Sequence, residues 1–274
     1  MGSCTKLATA LVVMSAVGFE ARASGPEEAQ GLDVDVAVVF AVDFSSSIDP
    51  ATADLQRNGH AAALTSPQIL KALSSSLRGC IAISYFEWAS PQSIKSVLPW
   101  TRICRPQDAE AAADIISRGG DTGIGRRIRG GTSISSAIAV GTLLLDRFPG
   151  HAERKVIDIS GNGENNDGMP VQQARTTAIG KGYTINAIAV PSGDENPDRP
   201  LATYFAEEVI GGDQAFVMAP KEPSDYTTAL RRKLVTEISF RLAPNSYQQD
   251  RQPRMIAAKV TSGAREKSRK VILP

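Results

Sequence analysis

Three short segments of the sequence carry oxygen-bearing side chains at spacings that suit a hard cation. Asp43-Phe44-Ser45-Ser46-Ser47 sets a carboxylate and two hydroxyls at alternate positions, and an extended or turning segment sends all three toward one point. Gly130-Gly131-Thr132-Ser133 opens a helical pattern, and Ser160-Gly161-Asn162-Gly163 closes an apolar strand pattern. Ions such as Mg²⁺ take oxygen ligands and keep several waters, so one carboxylate with hydroxyls is a workable shell. Alone, Asp-x-Ser-x-Ser says little, since Ser and Asp after a strand serve as turn formers and helix caps. The other two segments give it weight.

The elements that must position these residues alternate between strand and helix from 33 to 243. Asp33 to Val42 is almost continuously apolar and β-branched, as expected of a strand covered on both faces. Helical patterns follow at Pro50–Leu64 and Gln68–Leu73, then two strand-like runs, Cys80–Trp88 and Ile94–Trp100, around a turn at 89–93. Pro106–Ser117 and Thr132–Phe148 are helical, the latter with apolar residues every three or four positions. Val156–Ile159, Tyr183–Val190 and Ala215–Ala219 read as strands, with helices at Val171–Ile179, Leu201–Ile210 and Ser224–Leu242. This alternation predicts an α/β fold, a doubly wound and mostly parallel sheet with the hairpin as an antiparallel edge. Ligands of such sheets bind past the carboxyl ends of the strands at the point where strand order reverses. The strands ending at Asp43 and Ser160 are expected to flank that point.

The sequence has 274 residues, of which 42% are hydrophobic and 22% charged, an ordinary globular composition. No apolar run reaches the about 18 residues of a spanning helix. Thirty basic residues against 29 acidic ones leave no general attraction to nucleic acid. Residues 1–23 read as an export signal: Lys6, an apolar stretch from Leu7 to Phe19, and Ala21-Arg22-Ala23 as the cleavage pattern, with cleavage between Ala23 and Ser24. Residues 24–32 read as a linker and 244–274 as a basic, solvated, disordered tail. The mature chain is expected in the periplasm or outside the cell. There its two cysteines, Cys80 and Cys104, are expected to pair, because a hairpin centred on Gln92 sets them opposite each other, roughly 4.5–5.5 Å apart. Two buried free thiols are the alternative.

On these residues the chain resembles a von Willebrand factor type A domain, whose metal-ion-dependent adhesion site uses Asp-x-Ser-x-Ser, a Thr on a second loop and an Asp on a third. It is similar above all to an uncharacterised bacterial exported branch of that fold, through Tyr85-Phe-Glu-Trp88, Pro99-Trp100, Arg129-Gly-Gly-Thr-Ser-Ile134, Val156-Ile-Asp-Ile-Ser-Gly161 and Val209-Ile-Gly-Gly212. The resemblance covers about residues 33–243. It implies six strands in the order 3-2-1-4-5-6, with the hairpin strand antiparallel at one edge, and binding of other proteins through a bridging metal. Carried over, Ser45, Ser47 and Thr132 are hydroxyl ligands, and Asp43 reaches the metal directly or through water. The third loop departs, because Asn162 stands where the family has Asp. Asn162 can hold a coordinated water but brings no charge. Asp158 lies roughly 13 Å back along the strand; Glu164 and Asp167 are near enough in sequence to substitute.

These readings imply a weak Mg²⁺ or Mn²⁺ site that tightens when an Asp or Glu of a protein partner arrives. A structural envelope protein with a degenerate, metal-free site is the alternative, and a metal-assisted hydrolase a third class. An enzyme is not expected, since neither His60 nor His151 sits in a recognisable catalytic spacing. Glu87 and Asp158, inside apolar strand runs, are expected to satisfy backbone donors or an arginine. Gly125-Arg-Arg-Ile-Arg-Gly-Gly-Thr132 mimics a phosphate-binding loop but has Gly where Lys belongs, so Arg126, Arg127 and Arg129 read as a solvated basic rim.

Overall fold

A computed structural model describes residues 32–120, 130–191 and 198–239, together with the backbone of 255–256 and 270–272. The expected signal peptide and its cleavage site, most of the linker, and Arg126, Arg127 and Arg129 lie outside the described residues.

The first strand, β1 (Val34–Asp43), is buried along its whole length. Its side chains alternate between two cores. Ala37, Val39 and Ala41 join one; Val36, Val38, Phe40 and Val42 join the other. Helices α1 (Pro50–Leu64) and α2 (Pro67–Ser74) follow, each opened by a side-chain cap, Asp49 and Ser66, and a proline in the first turn. Then come β2 (Ile81–Trp88), β3 (Ile94–Ile103), α3 (Pro106–Gly119), α4 (Ile134–Asp146), β4 (Ala152–Gly161), α5 (Val171–Gly180) and β5 (Thr184–Ala189). The expected helix at Leu201–Ile210 is a short one, α6 (Leu201–Tyr204), that widens into a π turn over Phe205–Val209. Strand β6 (Phe216–Met218) and helix α7 (Tyr226–Ser239) complete the expected elements.

The sheet runs β3-β2-β1-β4-β5-β6, parallel except for the β2–β3 pair, which is the predicted order. Two short strands from the tail extend it: β8 (Lys270–Ile272) pairs in parallel with β6, and β7 (Met255–Ile256) antiparallel with β8. The rest of the tail lies outside the described residues. Helices α4 and α5 cover one face, and α1, α2, α3 and α7 the other.

The hairpin is less regular than a constant register implies. Near the turn Trp88 faces Ile94 and Glu87 faces Lys95, which centres the turn on Pro91 rather than Gln92. Two irregularities between Ile83 and Phe86 then shift the pairing, so that Ile81 faces Ile103 at the base. The first falls opposite Pro99, which has no N–H to give to a ladder, and the second opposite Val97. One step beyond, Cys80 and Cys104 are joined in a disulfide with Cα atoms 4.3 Å apart.

The α1/α7 face holds an unusual load of buried polar groups. Lys233 of α7 is fully buried, 2.5 Å from Asp158 and 2.6 Å from Glu237. Burial pushes both carboxyls up from their ordinary range, against the pull of the lysine. Glu87 faces Arg57 of α1 at 3.4 Å. His60 is buried between the rings of Phe40 and Tyr85, and its Nδ1–H donates to the Gln56 carbonyl at 2.8 Å. Burial lowers its pKa from 6.5 to about 4. The native ring therefore stays neutral where the unfolded chain takes up a proton, so the associated stability is complete above pH 6.5 and drains as pH falls toward 4. Over that window the loss amounts to about 3 kcal/mol. Urea unfolding midpoints across this range are expected to fall more steeply in the wild type than in His60→Phe, which cannot titrate.

Candidate metal centre

Asp43 ends β1 and Gly161 ends β4, and these two parallel neighbours flank the point where the strand order reverses. The Asp43 carboxylate is fully buried. Its Oδ1 accepts from the Ser45 N–H at 2.7 Å and its Oδ2 from the Asn162 N–H at 3.4 Å. Burial raises its pKa to about 6, although these donors and the Ser45 hydroxyl pull the other way. Gly161 makes room for it: a Cβ there would stand 3.3 Å from Asp43 Oδ2.

The remaining oxygens close around this carboxylate. Ser45 Oγ lies 3.1 Å from Ser47 Oγ, the Thr132 hydroxyl donates to Ser45 Oγ at 3.3 Å, and the Ser47 hydroxyl donates to Asn162 Oδ1 at 3.0 Å. Asp43, Ser45, Ser47, Thr132 and Asn162 thus form one hydrogen-bonded cluster drawn from three loops. Ser45 and Thr132 are buried, Ser47 is exposed, and Asn162 is half-buried, so the cluster opens to solvent on the Ser47–Asn162 side.

The loop carrying Thr132 is fixed from behind. Asn166 Oδ1 accepts from the Thr132 N–H at 2.7 Å, while the Thr132 carbonyl accepts from the Asn166 and Asp167 amides. Asn165 Oδ1 accepts from Ser135 N at the start of α4, and Ser133 N donates to the Ala89 carbonyl. The two glycines before Thr132 are required by this packing. Gly130 has φ +79°, and a Cβ on Gly131 would lie 2.5 Å from Asn166 Oδ1. Beneath the site Gln56 links the two strand ends: its Nε2 donates to the Asp43 carbonyl at 3.0 Å and its Oε1 accepts from Ser160 Oγ at 2.7 Å. Ser160 in turn meets the Tyr226 hydroxyl at 2.8 Å. The sequence pattern missed Gln56, Asn165 and Asn166. Asn165-Asn166 three residues after Asn162 was the available signal, because tandem amides can accept from backbone donors of a neighbouring loop.

Among the described residues no acid substitutes for Asn162. Glu164 turns to Arg199, which also meets Glu207 and Glu208. Asp167 accepts from its own neighbour Gly168 N and lies against Gly130 and Gly131. Asp158 is committed to Lys233. Among the described residues no three of His, Cys, Asp and Glu come together to hold a metal. The donors are oxygens, with one carboxylate, a set that fits a hard cation and leaves half the charge of a divalent ion unbalanced.

The sheet order, the helices on both faces and the placement of these loops define a von Willebrand factor type A fold. The chain is similar to the von Willebrand factor type A structure from Catenulispora acidiphila (15% identity, TM-score 0.53, covering 75% of this chain and 43% of that one). It is similar to the pilus adhesin SpaC from Lactobacillus rhamnosus GG (13%, TM-score 0.55, 77% and 31%). A third likeness is to proximal thread matrix protein 1 from the mussel byssus, solved with a zinc-occupied MIDAS motif (19%, TM-score 0.54, 77% and 49%). At these identities the likeness is one of fold, and the chain spans less than half the length of each solved chain. The chain belongs to the family described as protein of unknown function DUF1194, whose model matches residues 33–242. No curated protein matches its sequence.

The brace on Thr132 yields a structural expectation. Asn166→Ala leaves the Thr132 N–H without its acceptor, at a cost of about 1–3 kcal/mol, read as a lower urea midpoint.

Proposed function

We propose that the protein is an exported protein-binding module of the adhesion type, which holds Mg²⁺ or Mn²⁺ weakly and uses it to grip an Asp or Glu side chain of a partner protein. The observation that carries this reading is the convergence of Ser45, Ser47, Thr132 and Asn162 on the buried carboxylate of Asp43. A bound cation would supply positive charge with coordination positions open to a partner's carboxylate. Asp43 brings the charge the chain contributes, the three hydroxyls bring neutral oxygens, and Asn162 brings an amide oxygen in place of a second carboxylate. A shell with so little negative charge binds a cation loosely alone and more tightly once a partner's acid completes it.

Other observations support the reading. The Cys80–Cys104 disulfide suits an oxidising compartment outside the cytoplasm. No helix among the described residues is long and apolar enough to cross a membrane. Neither histidine is placed to act as a base at this site: His60 is buried against Phe40 and Tyr85, and His151 precedes β4, at the end of the strand opposite Asn162. The solved neighbours include one described as an adhesin and one with a metal in its MIDAS motif, which supports binding over catalysis. One observation favours the metal-free alternative, a structural envelope protein: the hydroxyls already satisfy one another by hydrogen bonds.

Titration of Mg²⁺ or Mn²⁺ into EDTA-stripped protein separates the two. Saturation at 100 times Kd is expected to add about 2.7 kcal/mol of stability, seen as a raised melting temperature. Asp43→Ala is expected to abolish the rise, and Asn162→Asp to tighten Mg²⁺ binding at least about tenfold, on the scale of ligand-sphere changes. No rise in the wild type or in Asn162→Asp would select the metal-free reading.

A further inference from the structure

The sequence contains two Asn-Gly dipeptides, Asn58-Gly59 and Asn162-Gly163. In this dipeptide the glycine amide can attack the preceding side-chain amide most readily, because glycine has no Cβ to shield its nitrogen or restrict its backbone. The fold treats the two differently. Asn58-Gly59 lies within α1, where the Gly59 nitrogen belongs to the helical ladder and the Tyr226 ring stands 3.0 Å from where a Cβ would be. Asn162-Gly163 lies in the loop beyond β4. There the Gly163 nitrogen and the Asn162 Nδ2 carry no hydrogen bond among the described residues. A Cβ on Gly163 would meet only Thr132 Oγ1, at 3.8 Å. The nucleophile and the leaving group are thus both uncommitted. The acceptor side is activated, since the Ser47 hydroxyl donates to Asn162 Oδ1 at 3.0 Å and so draws electron density from Cγ. The same donor stabilises the oxyanion that forms when Cγ is attacked.

We propose that Asn162 is a self-modification site, which loses its amide through an imide with Gly163 and becomes an aspartate in the third loop of the metal centre. The chemistry needs only water. The Gly163 nitrogen gives its proton to solvent base and bonds to Cγ; the Cγ–Nδ2 bond breaks and ammonia leaves, closing a five-membered imide. Water then adds at Cγ, the Cγ–N bond breaks, the Gly163 nitrogen recovers its proton, and the net change is Asn plus water to Asp plus ammonia. The Ser47 hydroxyl directs water to Cγ by polarising that carbonyl, which restores the normal backbone instead of an isoaspartyl link. The consequence of the change rests on the metal-centre reading above; the chemistry does not. A second carboxylate on this loop doubles the negative charge facing the cation. The weak site is then an early form that the protein converts into a tighter one with age.

The test incubates purified protein without divalent ions in mildly alkaline buffer, alongside a synthetic peptide of residues 158–167. Peptide mass spectrometry with isoaspartate detection follows residues 58 and 162, and Mg²⁺ titration compares fresh and aged samples. Expected are a mass gain of amide to acid at 162, none at 58, a rate at least that of the peptide, and Mg²⁺ affinity in the aged sample raised toward that of Asn162→Asp. Gly163→Ala and Ser47→Ala should both slow the mass gain, the second without altering the dipeptide. An unchanged Asn162, conversion slower in the fold than in the peptide, or an isoaspartyl product alone would overturn the inference. If Asn162→Asp itself binds no Mg²⁺, the metal reading fails. If that variant binds and the aged aspartate form does not, the modification fails to act as proposed.

Discussion

Asp43 ends a strand whose ten residues are all buried, and its own carboxylate is hidden from solvent. A charge in that position is costly unless donors surround it, and burial outweighs the donors present, raising its pKa to about 6. Much of the upper edge of the sheet follows from this one group. The backbone after it turns so that Ser45 N reaches Oδ1, and the β4 loop brings Asn162 N to Oδ2. A Cβ on Gly161 would press on the carboxylate at 3.3 Å. The three loops meet because each supplies a polar atom to the same small volume.

The rigidity behind that meeting comes from amides rather than charges. Gln56 binds the ends of β1 and β4 from one helix, and Asn165 and Asn166 hold the second loop from the third. An amide donates and accepts at once, so it can join two backbones without adding a net charge beside Asp43. A separate group of buried charges lies on the α1/α7 face, where Lys233 sits between Asp158 and Glu237. Within the cluster that is open to a ligand, Asp43 supplies the one buried carboxylate. Asn162 continues this economy of charge at the rim, beside a glycine that shields it little.

The hairpin shows how a correct pairing can arise from an irregular path. The disulfide forms at the expected pair, although the turn is centred on Pro91 and the register slips twice on the way to the base. A count of residues from an assumed turn cannot register such slips, because a bulge depends on how Pro99 is accommodated opposite β2.

The sequence alone determined the strand–helix alternation and the segments that carry the oxygens, since these follow from periodicity and from motifs local in the chain; the order of the six central strands came only through the family resemblance those motifs carry. Pro50–Leu64 is legible because a cap, a proline and an alanine-rich run are contiguous. The π turn after Tyr204, the bulges in β3 and the added strands at Met255–Ile256 and Lys270–Ile272 were not legible, since each is set by what packs against it. In the site, the types and loops of Asp43, Ser45, Ser47, Thr132 and Asn162 could be read directly. Only the tertiary structure decided that Glu164, Asp167 and Asp158 are engaged elsewhere, and that Gln56, Asn165 and Asn166 hold the loops in place. The physical reason is separation along the chain: hydrogen bonds joining residues tens of positions apart leave no periodic trace, while a buried polar atom must still find its partner.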